Sequence, residues 1–209
     1  MLTALLALAD SRMPTGGHVH SGGVEDAIHH GLLTDVVTLE AFLLRRVRTA
    51  GLVGAGLAAT ACAGGGPARL DAEADARTPS PAQRAASRAQ GRGLLRLART
   101  TWPGRDWTPL GDRPHHAVAL GVVAAAAGLA PHDAALAAVY VTMTGSATAA
   151  QRLLALDPGQ VAACTLRLAV VCDEVAARAV ALGLPCASDP LLDLLAQRHV
   201  LRGGTLFAS

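Results

Sequence analysis

The sequence predicts an all-α fold, a single-domain multi-helix bundle, and three observations carry that prediction. Ala and Leu number 45 and 32, about 37% of the 209 residues, and both lose little side-chain entropy in a helix. Strand-favouring residues are scarce: 17 Val, one Ile and five aromatics, too few to fill a sheet. Helix-start signals of the Ser-Pro and Asp-Pro type recur along the chain, at Ser80-Pro81, Asp157-Pro158 and Asp189-Pro190. The length suits one domain with a substantial core. Neither repeats nor a dividing linker are visible, so residues 1–209 are read as one unit, with 202–209 as a tail mobile in isolation.

The elements follow in order. Leu2 to Ala9 is a short apolar helix, and Asp10 to Gly23 a loop rich in Gly, Ser and His. Val24 to His30 forms a helix that Gly31 stops. Thr38 is read as the N-cap of a long helix through Leu39, Phe42, Leu43 and Val47, which ends at the breaker Gly64-Gly65-Gly66-Pro67. Ser80-Pro81 opens a helix to about Thr101, and Asp112-Arg113-Pro114 opens another that Gly128 closes. Pro131 to about Leu156 is helical, weakened by Thr142, Thr144 and Gly145. Asp157-Pro158 starts a helix ended by Gly183, and Ser188-Asp189-Pro190 starts the last, ending near His199.

Composition excludes several chemistries. All 18 basic residues are Arg, and Lys is absent. A Walker-type phosphate loop, a Schiff-base enzyme and a protein-kinase site each need a Lys. The net charge of +2 is too mild for a nucleic-acid binder, and five aromatics are a poor stacking surface. The Cys residues at 62, 164, 172 and 186 lack C-x-x-C spacing and read as small buried hydrophobes in a reducing compartment. The apolar runs are rich in Ala and Gly rather than Leu, Ile and Phe, so they read as buried helices, not membrane spans. Met1 to Ala9 lacks the basic region of a signal peptide. The expectation is a cytoplasmic protein with no membrane and no nucleic-acid partner.

Four constellations stand out. The loop Pro14-Thr15-Gly16-Gly17-His18-Val19-His20-Ser21-Gly22-Gly23 permits close backbone approach, and is either a structural turn or a partner-contact loop. His18 and His20, with Glu25 and His29-His30 nearby, are weak metal candidates, since imidazole suits nickel and zinc but no closed-site spacing is present. Arg84, Arg88, Arg92, Arg96 and Arg99 share one helix face. No Asp or Glu lies between Asp75 and Asp106, so the five read as uncompensated. The face is solvated, or meets an acidic protein, or meets nucleic acid. For nucleophilic catalysis no G-x-S-x-G elbow exists, and Asp173-Glu174 point in different directions. No catalytic residue is assigned.

Several stretches resemble one family. Pro14-x-Gly16-Gly17-x-x-x-Ser21-x-Gly23-x-Glu25, directly after an apolar helix, resembles the N-terminal signature of the urease accessory protein UreF family. Arg88-Ala89-Gln90-Gly91-Arg92-Gly93-Leu94-Leu95-Arg96-Leu97 resembles its central helix. Ala149-Ala150-Gln151-Arg152-Leu153 is similar to its A-A-x-R-L segment, and Arg198-His199 followed by Leu206-Phe207-x-Ser209 to its C-terminus. The likeness covers the chain in order and is to the actinobacterial branch. His18 and His20 replace aromatics, Val200 a Glu, Gly203-Gly204-Thr205 a Tyr-Ser-Arg-type segment, and Asp157-Pro158-Gly159-Gln160 a Pro-Leu-Gly-Gln segment.

The resemblance implies an all-helical homodimer without enzymatic activity or a cofactor of its own. It implies a scaffold that joins the GTPase UreG and the accessory protein UreD (also called UreH), with nickel and GTP handled by those partners and nickel delivered to apo-urease through the complex. Its motifs make Pro14, Gly16, Gly17, Ser21, Gly23, Glu25, Arg88, Arg92, Arg96, Arg152, Arg198, His199, Leu206, Phe207 and Ser209 the candidate partner-binding residues. Two other readings stand beside it: a helical metal-dependent regulator using the His-rich N-terminus, and a small-substrate helical enzyme.

Overall fold

A computed structural model of the chain describes residues 2–10, 13 and 21–200, the last two by backbone alone. The regular structure of the described residues is all helix, without strands, as the composition predicts. In chain order the helices are α1 (Leu2–Leu8), α2 (Val24–His29), α3 (Val36–Arg46), α4 (Leu52–Cys62), α5 (Pro67–Ala76), α6 (Pro81–Thr101), α7 (His116–Ala126), α8 (Pro131–Leu154), α9 (Pro158–Leu182) and α10 (Pro190–Val200). A π-turn, Val47–Gly51, joins α3 to α4, and a 3₁₀ turn, Thr108–Leu110, precedes α7. No helix among the described residues is long and apolar enough to cross a membrane. The tail at 202–209 lies outside the described residues.

Local capping explains most boundaries. Ser80 accepts from Gln83 N, and Asp157 from Gln160 N, each followed by Pro at the first helical position. Asp189 Oδ1 likewise accepts from the backbone N of Leu191 and Leu192 at 3.1 and 3.4 Å. α8 runs unbroken through Thr142 and Thr144, whose hydroxyls donate to the carbonyls four residues back.

Four expectations are corrected. The cap of α3 is Asp35, not Thr38: Asp35 Oδ1 accepts from Thr38 N at 2.8 Å, and Thr38 Oγ1 in turn accepts from Asp35 N at 3.0 Å in a capping box. The long helix is split by the π-turn. Pro67 does not merely break a helix but begins α5, whose Leu70 and Ala74 are buried at a helical spacing of four. α7 starts at His116, after Pro114, because its first amides are capped from elsewhere in the fold: His115 N donates to Asp71 Oδ1 at 2.7 Å and His116 N to Ser87 Oγ at 3.1 Å.

The core has two lobes that share α4 and α8. One gathers Leu39, Leu43, Val47, Met143 and Leu168 beneath α2, α9 and α10. The other gathers Leu70, Leu94, Leu95, Val118 and Leu120 beneath α1, α5, α6 and α7. α4 is buried on nearly every side, as a helix apolar all round must be. Its Ala-rich surface lets α7, α8 and α9 all lie against it.

Candidate functional site

The described part of the N-terminal signature, residues 21–25, lies at a junction between α2 and α10. Ser21 is fully buried and its carbonyl accepts from Ser146 Oγ of α8 at 3.5 Å. The Gly22 carbonyl accepts from Arg46 Nη1 at the end of α3. Gly23 adopts φ +90° at the start of α2, a region that disfavours side chains, and a Cβ there would lie 3.5 Å from Leu195 Cβ and 3.8 Å from the Leu192 carbonyl of α10. Glu25 is buried, at 9% exposure, in the first turn of α2. Thus Ser21, Gly23 and Glu25 are packed inside the molecule, at the point where α2 and α10 meet.

Charged side chains complete this junction. Arg45 makes a two-bond ion pair with Asp189, Nε to Oδ2 and Nη2 to Oδ1, both at 2.7 Å. Burial works to raise the Asp189 carboxyl, but Arg45 and the α10 amides outweigh it and hold it below its usual range. Burial pushes the Arg46 guanidinium down to about 10, opposed by the Asp193 carboxylate of α10. Asp193 is raised, chiefly by its own burial, although a hydrogen bond with Gln83 works the other way. Further along α10, Gln197 Oε1 accepts from Ser80 Oγ at 3.1 Å and Ala82 N at 3.4 Å. Arg46, Gln83, Ser146 and Asp193 also line a groove of about 330 Å³ between α6, α8 and α10.

The arginine helix divides into an inner and an outer set. Arg88 is inner: Nη1 reaches Asp71 Oδ2 at 2.8 Å and the Arg113 carbonyl at 2.7 Å, and Nη2 reaches Asp75 Oδ2 at 2.7 Å. Two turns of α5 and the start of α7 are fastened to α6 by this side chain. Gly91 sits where α6 crosses that start; a Cβ there would lie 2.0 Å from the Pro114 carbonyl oxygen. Arg84 donates to the carbonyls of Thr78 and Pro79 and lies 3.9 Å from Asp75, and Arg99 lies 3.8 Å from Asp112. Five uncompensated charges, the expectation from sequence, are therefore not what the fold contains. Arg92 and Arg96 are the outer set: exposed, and without an ion pair among the described residues.

Beneath Arg88 lies a polar network that the sequence reading missed. His115, 2% exposed, contacts Asp75 Oδ1 through Nε2 at 2.8 Å and Ser87 Oγ through Nδ1 at 3.0 Å. Burial works to raise Asp75, but its hydrogen bonds with His115 and Arg88 win and hold it low. Asp71, Asp75 and His115 place ligand-type atoms within 4.8 Å of one another. Arg88 already bonds both carboxylates, supplying the positive charge that a cation would bring. The signals that could have located this network were His115 itself, beside Pro114 at a helix start, and the Asp71/Asp75 spacing of one helical turn.

The remaining candidates scatter. Arg152 is exposed in the last turn of α8, and Arg198 is exposed on α10. Pro14, Gly16, Gly17, His18, His20, Leu206, Phe207 and Ser209 lie outside the described residues, as does the side chain of His199. His29 and His30 are exposed at the end of α2. Of the cysteines, Cys164 and Cys172 are buried as expected and Cys62 partly so, whereas Cys186 is exposed and corrects that expectation.

These features define an all-helical protein in which motif residues bind helix to helix and two arginines of a central helix, Arg92 and Arg96, are left facing outward without an ion pair among the described residues. The profile of the UreF family matches residues 23–169. The chain is 63% identical to the urease accessory protein UreF of Mycolicibacterium vanbaalenii over 212 residues, covering all of this chain and 99% of that protein. It is 65% identical to that of Mycobacterium sp. (strain JLS) and 58% identical to that of Mycobacterium tuberculosis, again over all of this chain and 99% of each relative. The chain belongs to the UreF family of urease accessory proteins.

Proposed function

We propose that this chain is a non-enzymatic urease maturation factor, a scaffold that joins the GTPase UreG and UreD (UreH) so that nickel is inserted into apo-urease at the expense of GTP. The observation that carries the reading is whole-length likeness at 58–65% identity to proteins named urease accessory protein UreF. Nickel is cargo here, and GTP is held by the GTPase. With no Lys in the chain, a Walker-type hold on the γ-phosphate has to come from another protein. The scaffold acts as a homodimer, recruiting or regulating the GTPase in the cytoplasm.

Rigidity at the junctions supports such a role. The Gly22–Gly23 turn, Arg45–Asp189 and Ser80–Gln197 together fix α10 against α2 and α6, so a partner docking on α10 or α2 meets a preformed surface and pays less ordering entropy. Arg92 and Arg96 offer guanidinium forks to an acidic protein face. The test is co-expression of apo-urease, nickel and the other accessory proteins with and without this chain. Nickel occupancy of urease should fall sharply when the chain is left out; equal occupancy either way refutes the maturation role.

A further inference from the structure

Asp75, His115 and Ser87 form a hydrogen-bonded chain that ends at the groove. His115 Nε2 lies 2.8 Å from Asp75 Oδ1, and His115 Nδ1 lies 3.0 Å from Ser87 Oγ. Burial works to raise Asp75, but its bonds with His115 and Arg88 hold it low. As an ionised carboxylate it can only accept, so Nε2 carries the imidazole proton and Nδ1 offers its lone pair to the Ser87 hydroxyl. Ser87 Oγ also accepts from the His116 amide at 3.1 Å. A hydroxyl has one proton and two lone pairs. The proton faces His115, one lone pair faces His116, and the second lone pair is left for attack. The imidazole is 2% exposed, whereas Ser87 is half-buried and lines the groove with Gln83, Gln90 and Ala117. The groove volume of about 330 Å³ suits a small organic molecule. α7 begins here as well. The Ala117 amide, second in α7, has no carbonyl of its own helix to bond, and a helix start favours negative charge. Capping α7 requires only the Ser87 hydroxyl; a base behind that hydroxyl, itself oriented by a third group, is the arrangement of an activated nucleophile.

We infer that Ser87 is a nucleophile activated by His115, a covalent acyl-acceptor site for small activated esters that enter the groove. Ser87 Oγ bonds to the acyl carbon while its proton passes to His115 Nδ1. The charge that develops on the acyl oxygen meets the start of α7. The bond from the acyl carbon to the leaving oxygen then breaks, and His115 returns the proton to that oxygen. Asp75 is a positioning residue: it fixes the imidazole tautomer and offsets the charge of the imidazolium. The ring is turned end for end relative to serine proteases, where Nε2 faces the serine; either nitrogen can accept when the other holds the proton. One acyl group is taken per chain, so this chemistry adds to the scaffold role and does not replace it.

The test uses the full chain carrying Cys186→Ala, which removes the exposed thiol, with far-UV circular dichroism as the check on folding. It is treated with p-nitrophenyl butyrate and, separately, with a short-alkyl fluorophosphonate, in which the same attack expels fluoride. Intact mass and peptide mapping locate the adduct. Ser87 should react about a hundredfold or more faster than the exposed Ser188 of the same chain, the rate that general-base help supplies. One equivalent of p-nitrophenolate should be released per chain. Ser87→Ala should abolish both reactions, and His115→Gln should slow them about a hundredfold. Asp75→Asn should slow them similarly and move the ¹⁵N signature of His115 from the Nε2–H to the Nδ1–H tautomer, which loss of a purely structural contact does not do. A folded chain in which Ser87 stays unmodified, or reacts no faster than Ser188, overturns the inference. Full-rate reaction of Ser87 in His115→Gln overturns the part given to His115. The decisive comparison is made with Ser87, His115 and Asp75 all in place, so it stands even if a variant of the network fails to fold. Failure here leaves the maturation role to the co-expression experiment.

Discussion

Replacing Gly91 by Ala isolates the crossing of α6 over the start of α7. In an open helix this change is favourable by about 1 kcal/mol, because Ala loses less backbone entropy. At Gly91 the new Cβ would lie 2.0 Å from the Pro114 carbonyl oxygen, 2.9 Å from its carbon and 3.0 Å from the His115 carbonyl carbon. Real Cβ atoms do not come closer than 3.0 Å, so α6 and α7 must part by about 1 Å. The obstacle is backbone, with no rotamer to yield. Overpacking of this kind costs about 1–3 kcal/mol, and the parting also stretches the Ser87–His115 and Arg88–Arg113 bonds of 3.0 and 2.7 Å. The net expectation is a loss of about 2 kcal/mol, or a fall in Tm of roughly 4–8 °C for a chain of this size. Gly145→Ala in α8 is the matched control, since nothing lies within 4 Å of its Cβ position; it should gain up to about 1 kcal/mol. Urea unfolding followed by circular dichroism reads both. A Gly91→Ala protein as stable as wild type, or more so, refutes the close-approach argument.

Three further outcomes are expected. Arg92→Glu should weaken the proposed assembly with UreG and UreD without unfolding the chain; unchanged co-elution with those proteins removes this residue from the proposed contact. Asp189→Ala removes both the partner of Arg45 and the acceptor for two α10 amides, so hydrogen exchange should speed up across α10 while α8 keeps its protection; uniform protection contradicts the latch. Asp75 is held below its unfolded value by His115 and Arg88, so its contribution is present above the unfolded carboxylate pKa of about 3.9 and lost as pH falls through the folded value. Stability profiles of wild type and Asp75→Asn should therefore converge in acid and separate above about pH 5; parallel profiles at all pH values refute the link.

What sequence reveals and what it hides divides here along a physical line. Caps marked by Ser-Pro or Asp-Pro are legible, and the starts at Ser80-Pro81, Asp157-Pro158 and Asp189-Pro190 fall where they are predicted; at α3 the two partners of a local capping box, Asp35 and Thr38, are exchanged. The start of α7 is not, because Asp71 and Ser87 cap it from 44 and 29 residues away in sequence. The arginine helix shows the same division. Its periodicity is local and correctly read, but its neutralisation depends on Asp71 and Asp75, which face it only once α5 has formed. α5 itself was hidden by Pro67, which signals both an end and a beginning. Of the signature residues, Gly23 is explained by its φ of +90° at the start of α2, whereas its packing beside α10, about 170 positions downstream, is visible only in the fold.

The meeting of α2 with α10 also bears on how the chain is made. Synthesis delivers domains from the N-terminus first, so the Gly22–Gly23 turn and α3 leave the ribosome long before Asp189, Asp193 and Gln197. Until then Arg46 lacks the carboxylate that offsets its burial, and Ser80 lacks its side-chain partner. The N-terminal junction can therefore close only when the last helix arrives. A chain cut short before residue 189 lacks α10 and leaves α2 without the helix that packs beside it.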